Sequence, residues 1–291
     1  MPGALIARLP AGVALGALGI LGFSFSLPAT RLAVADLDPW LVAFGRASVA
    51  GVLAAAYLAL ARAPRPTPAQ WRSVAIVAGG VVVGFPLAIS LALEAQTAAH
   101  GAVVVAILPA ATAVAAVARA GERPSARFWF ASGAGLAAVL AFVVAQGLAG
   151  PQAGDLLLLA AVGACAVGYA EGGALARSLG GAVTICWALV LALPLSVAVA
   201  AAAALATGLD AGATSWLGLA YVSLVSMFLG FFAWYAGLAR GGVARIGQIQ
   251  LAQPVLTLVW SALLLGEHVG PWTAITALAV LACVAATQRA R

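Results

Sequence analysis

Pro109-Ala110-Ala111-Thr112, running on to Arg119-Ala120-Gly121-Glu122, returns later in the chain as Pro254-Val255-Leu256-Thr257, running on to Leu264-Leu265-Gly266-Glu267. Pro, Thr, Gly and Glu all recur at one step of 145 residues. The same step carries Trp71 to Trp216, Val77 to Val222, Leu93 to Leu238 and Ala99 to Ala244. One residue more aligns Gly22-Phe23 with Gly168-Tyr169 and Arg31 with Arg177. Matches among Ala, Leu and Val mean little in so apolar a chain. Paired Pro, Trp and Gly-Glu at one step mark a duplication, with halves at 1–149 and 150–291.

What is duplicated is membrane-spanning. Of the 291 residues 65% are hydrophobic and 8% charged, with a mean hydropathy of +1.12. Soluble domains carry about a quarter charged residues, so the natural solvent for this surface is lipid. Apolar runs between Pro, Gly, Asp and Arg clusters predict ten spans. They cover 11–34, 39–61, 71–93, 98–118 and 126–147, then 155–177, 181–206, 214–238, 243–265 and 271–288. The first apolar run continues past Leu27 with no small-residue cleavage end, and reads as a span rather than a signal peptide.

All 14 basic residues are Arg. They stand singly at the ends of apolar runs, which sets topology and excludes the clustered patch that nucleic acid needs. With the N-terminus in the cytoplasm, every Arg except Arg31 and Arg46 falls inside. Both termini are then cytoplasmic. Five spans per half is odd, so the halves cross the bilayer in opposite senses, and the charges agree. Arg119, Arg123 and Arg127 around the first Gly-Glu become Leu264, His268 and Trp272 around the second. The fold class expected is an all-α membrane protein of ten helices in two inverted five-helix repeats. Such repeats with Pro-interrupted helices are characteristic of secondary transporters, with a site near the midplane.

With these features the chain resembles the EamA-type members of the drug/metabolite transporter superfamily. The resemblance rests on Gly22-Phe23-Ser24-Phe25-Ser26 with Arg31, on Phe44-Gly45-Arg46, and on the two Pro-to-Gly-Glu units; Leu21-Gly22 stands where the family more commonly has Trp-Gly. It implies a cavity lined mainly by spans 1, 3, 4, 6, 8 and 9, alternating access, and a multi-pass protein of the bacterial inner membrane. Substrates in the superfamily include amino acids, metabolites, nucleotide sugars and cationic drugs. The chain is most similar in general character to exporters of neutral or aromatic amino acids. Efflux of cationic drugs, transport of another metabolite, and a non-transport membrane enzyme or structural or signalling protein are the alternatives. The expected partners are a small-molecule substrate and the bilayer.

Several polar groups inside the spans are candidates for the site. Gln250, Gln253, Thr257 and Trp260 share one face of span 9, where buried amides need either a wet cavity or hydrogen bonds to a neighbouring helix. Pro254 and Pro109 each remove a backbone hydrogen bond at midspan, and Gly230 adds a third hinge candidate. On span 8, Ser223, Ser226, Gly230, Trp234 and Gly237 share a face that either packs or slides, with Trp234 stacking on substrate or filling core. The small face of span 1 (Gly12, Gly16, Gly19 and Ser26) reads as packing. Ser24 and Tyr169 complete the candidate substrate-binding set. Arg46 and Glu171 are ionisable groups within spans. Arg46 either holds a substrate carboxylate or ties helices together; Glu171 either meets an ammonium or a proton, or sits at the interface near Arg177. Glu122 and Glu267 follow Gly, where a carboxylate complements the dipole of the next helix. No phosphate loop, metal cluster or nucleophile motif is present, so neither catalysis nor a cofactor is expected. Cys165, Cys186 and Cys283 lie in apolar runs as reduced core residues, and His100 and His268 show no ligand partners.

Overall fold

The computed structural model describes residues 10–96, 98–145 and 154–265, with single positions beyond. Apart from those positions, the expected span 271–288 lies outside the described residues, as do Glu267, His268 and the side chain of His100. The described chain is helical, with no strand among these residues. We label its helices α1 (Ala11–Ala33), α2 (Pro39–Leu60), α3 (Pro68–Ala95), α4 (98–120), α5 (Ala126–Ala145), α6 (Asp155–Leu179), α7 (Gly181–Thr207), α8 (Ala213–Gly241) and α9 (243–265). Of these, α1, α2, α3, α6, α7 and α8 are long and apolar enough to cross a membrane.

Local chemistry sets the helix ends. Asp38 caps α2, its Oδ1 accepting from the N–H groups of Trp40 (2.9 Å) and Leu41 (3.1 Å), with Pro39 at the first helical position, where no donor is needed. Thr67 and Gln70 form a reciprocal capping box at the start of α3. Gly121, at φ +66°, ends α4 in the left-handed conformation that favours glycine. Asp36, in the α1–α2 connection, accepts from Ser215 Oγ (2.8 Å) and the Gly212 N–H (3.0 Å), and these bonds hold its carboxyl below the usual carboxylate range.

The helices are interrupted in matching places. A π-helical segment occupies Ala78–Gly84 of α3 and another Val222–Leu229 of α8. The Phe85 N–H reaches back to the Gly80 carbonyl and the Gly230 N–H to the Val225 carbonyl, positions related by the step of 145 residues. Long π segments are rare and tend to mark functional sites. Ahead of Pro109, α4 breaks between Val105 and Leu108; ahead of Pro254, α9 tightens into a 3-10 turn over Gln248–Leu251. Each proline leaves the carbonyl four residues earlier without its helical donor, so the distortion falls one turn upstream.

Packing fixes the direction of each helix. Gly12 and Gly16 of α1 lie against Gly241 and Gly237 of α8, while Ala29 and Ala33 lie against Gly218, so α1 and α8 run antiparallel. Their counterparts do the same: on α6, Ser178 meets Gln70 and Asp155 meets Gln96 at the two ends of α3. Helices α2 and α7 also run antiparallel, with Gly51 against Leu193 and the Trp187 Nε1 donating to the Pro64 carbonyl (2.9 Å). One end of the bundle gathers the end of α4, the end of α6 and the start of α9. Of these pairs, α2 and α7 are counterparts one repeat step apart, and they run in opposite directions. The outer surface is apolar, as Leu60 (87% exposed) and Leu205 (89%) illustrate, which suits a lipid solvent.

Candidate functional site

The site is organised around a break in α1. Pro28 has no N–H to offer the Ser24 carbonyl, and the helix is interrupted at Phe25, so carbonyls that a continuous helix would satisfy are released. Side chains take them up. Thr257 Oγ1 donates to the Ser24 carbonyl (2.7 Å), Tyr221 Oη to the Gly22 carbonyl (2.9 Å) and Ser24 Oγ to the Leu21 carbonyl (2.7 Å). Trp260 Nε1 in turn donates to Ser24 Oγ (2.8 Å). Thr257, Trp260 and Ser24 therefore fasten α9 to the broken α1. Thr257→Val is expected to cost about 1–2 kcal/mol by stranding the Ser24 carbonyl. Pro28→Ala restores a backbone donor and is expected to offset most of that loss in the double variant. A thermal-denaturation cycle in detergent checks this; strictly additive losses would show that the two donors do not serve one carbonyl.

Beside this joint lies an enclosed central cavity with room for about 20 Å³, the space of one water. Its walls come from α1, α2, α3, α4, α6, α8 and α9, and most are related by the duplication. Phe23 and its counterpart Tyr169 both line it, as do Val81 and Ser226, Pro86 and Phe231, and Leu108 and Gln253. Both π segments contribute, through Val81 and through Ser226 with Met227. An aromatic cluster backs the cavity. Tyr169 lies 5.3 Å from Trp234 and 6.1 Å from Phe231, and Phe23 lies 4.8 Å from Phe231. Trp234 itself is fully buried behind this wall, its Nε1 without a hydrogen-bond partner.

Two polar clusters meet here. Arg46, 3% exposed, donates from Nη2 to Ser226 Oγ (3.0 Å), which also accepts from Ser26 Oγ (2.7 Å). On α9, Gln253 lines the central cavity and a second void of about 10 Å³ shared with Gln250, Pro254 and Thr257. Neither amide atom of Gln250 has a partner. Gln248, fully buried, donates from Nε2 to the Pro109 carbonyl (3.2 Å) and so links the two proline distortions.

Glu171 stands apart. It accepts from Ser73 Oγ (2.7 Å) and pairs with Arg119 Nε (2.7 Å), and it lines neither void. Glu122 is used differently from the sequence expectation. Its two oxygens accept from the Val243 (2.7 Å) and Ala244 (2.8 Å) N–H groups and it pairs with Arg177 (2.8 Å). It complements the start of α9 rather than the start of the helix that follows it, because the end of α4 lies beside α9.

A larger groove, about 540 Å³, opens on the outer face between α1 and α8, lined by Leu18, Leu21, Gly22, Phe25, Val225, Gly230 and Trp260 among others. Its walls are almost wholly apolar, and the convergent polar groups are in the small cavity instead, which is why we place the site there. Sequence reading missed Phe231, Phe85 and Gln248. The first two carried a signal, since Phe85-Pro86 and Gly230-Phe231 stand one repeat step apart.

Comparison with known proteins agrees with this architecture. The model of the EamA-like transporter family matches twice, over residues 10–144 and 152–287. The uncharacterized transporter YdeK of Bacillus subtilis (strain 168) is 46% identical over 275 residues, covering 94% of this chain and 96% of that protein. A solved crystal structure shares the fold, with a TM-score of 0.75 at 20% identity, over 96% of this chain and 99% of that one. The chain is accordingly a multi-pass membrane transporter rather than an enzyme, and it belongs to the EamA-like transporter family of the drug/metabolite transporter superfamily.

Proposed function

We propose that this transporter exports neutral or aromatic amino acids and related small metabolites across the bacterial inner membrane by alternating access. In this reading ten helices form two inverted five-helix repeats, 1–149 and 150–291, with both termini cytoplasmic. The observation that carries the reading is the closed cavity lined by repeat-related residues, in which aromatic rings and hydrogen-bonding side chains come together. A wall of Phe23, Tyr169 and Phe231 suits an apolar or aromatic side chain, and Arg46, Ser226 and Gln253 suit its polar end. With space for one water, the cavity corresponds to a closed state, and a solute is admitted only when the halves part. The paired π segments and the distortions ahead of Pro109 and Pro254 fall at repeat-related positions, and in this reading they supply the hinges.

The test is counterflow in proteoliposomes with a panel of radiolabelled amino acids. Phenylalanine or leucine is expected to exchange faster than in protein-free vesicles, and Ser26→Leu, which fills the cavity, is expected to abolish the exchange. Equal rates with and without protein across the whole panel would overturn the reading.

A further inference from the structure

Arg46 is a cation in the interior of the bundle, and no carboxylate among the described residues answers it. Its Nη2 has only the Ser226 hydroxyl and its Nε has no hydrogen-bond partner. Glu171 is committed to Arg119 and Ser73, and Glu122 to Arg177 and the start of α9. A buried charge without a counter-charge is costly, and inside a bilayer such a group is normally kept for a ligand or an ion pathway. The neighbouring hydroxyls point the same way. Ser226 Oγ accepts from both Ser26 and Arg46, so its own proton is left to donate. The guanidinium Nε–H and the Ser226 O–H are thus two spare donors on neighbouring residues that line one cavity, a pairing that suits a carboxylate. Tyr169 and Phe231 line the same cavity, and no acidic side chain among the described residues does.

From this geometry we infer that the transported solute is recognised through a negative charge. Arg46 with Ser226 is the seat for a carboxylate, the aromatic wall takes an apolar body, and no charged group reads the ammonium. The inference rests on the transport reading above and deepens it: a cationic solute lacking a carboxylate is excluded by the same unpaired guanidinium that draws an anion.

Three matched solutes separate these terms: phenylalanine, phenyllactate, which lacks the ammonium, and phenylalaninamide, which lacks the carboxylate. Binding is read as ligand-dependent thermal stabilisation of the full-length protein in detergent, and transport as counterflow of the same amino-acid panel in liposomes. Phenylalanine and phenyllactate are expected to stabilise the protein to similar extents, and the amide at least tenfold more weakly. Arg46→Gln is expected to erase that preference, while Arg46→Lys retains it at lower affinity. A merely structural Arg46 would lower the stability of the unliganded protein in both variants and leave the preference unchanged. Should Arg46→Gln fail to fold, Ser226→Ala gives the same reading, with a several-fold loss for the two carboxylates and none for the amide. Binding of the amide as tightly as the acids, or amino-acid counterflow unaffected in Arg46→Gln, would overturn the inference and leave the transport reading standing. Absence of counterflow for every panel member in the unaltered protein would instead overturn the transport reading, and the inference with it.

Discussion

Replacing Glu122 by Ala is expected to lower stability by about 3 kcal/mol, most of it from the start of α9 rather than from the ion pair. The Glu122 carboxylate accepts the first two free N–H groups of α9, and hydrogen bonds to a charged acceptor contribute about 1.5–3 kcal/mol each before overlap is discounted. Its partner Arg177 is 44% exposed on its side chain, and an ion pair in that setting is screened and worth about 0–1 kcal/mol. The expected order of destabilisation is therefore Glu122→Ala above Glu122→Gln, which keeps one acceptor, and both above Arg177→Met. Unfolding of the three variants in one detergent, read by the loss of tryptophan fluorescence, checks the order. A loss in Arg177→Met as large as that in Glu122→Ala would show that the pair, not the cap, holds this end of the bundle together.

Gly80→Val is expected to be the most damaging single change in α3, costing about 3 kcal/mol or more, and to prevent accumulation of folded protein. A Cβ at Gly80 would stand 2.4 Å from the Ala164 carbonyl oxygen of α6, a backbone atom that cannot swing aside. The counterpart position, one repeat step later, is Val225, which already carries a side chain and lines the open groove between α1 and α8. Val225→Ala is accordingly expected to change stability by less than about 1.5 kcal/mol. Expression level and the size-exclusion profile distinguish the two. A well-behaved Gly80→Val would mean that the seam between α3 and α6 is looser than its geometry indicates.

How far the chain could be read in advance follows from what lipid does to sequence signals. Span limits were legible because polar and turn residues are confined to the connections. Residues 39–61 were expected and Pro39–Leu60 is helical; 181–206 were expected and Gly181–Thr207 is helical. Which face of a helix turns inward was far less legible, because lipid and protein interior are both apolar. Gln250, Gln253, Thr257 and Trp260 do share a face, yet Thr257 and Trp260 are spent on the broken α1, while Gln253 lines the cavity.

The sequence by itself determined that the chain spans a membrane, where its helices begin and end, and that it is duplicated, because composition, caps and a constant repeat step are properties of residues in order. Only the tertiary structure decided that Arg46 meets Ser226 across 180 positions, that Glu122 caps a helix 121 residues away, and that α3 and α8 carry matching π segments. The physical reason is that hydrogen bonds and ion pairs depend on distances of about 3 Å between particular atoms. Those distances are set by how helices run and rotate against one another, and a helix surrounded by apolar solvent carries little in its own residues to say which way it will turn.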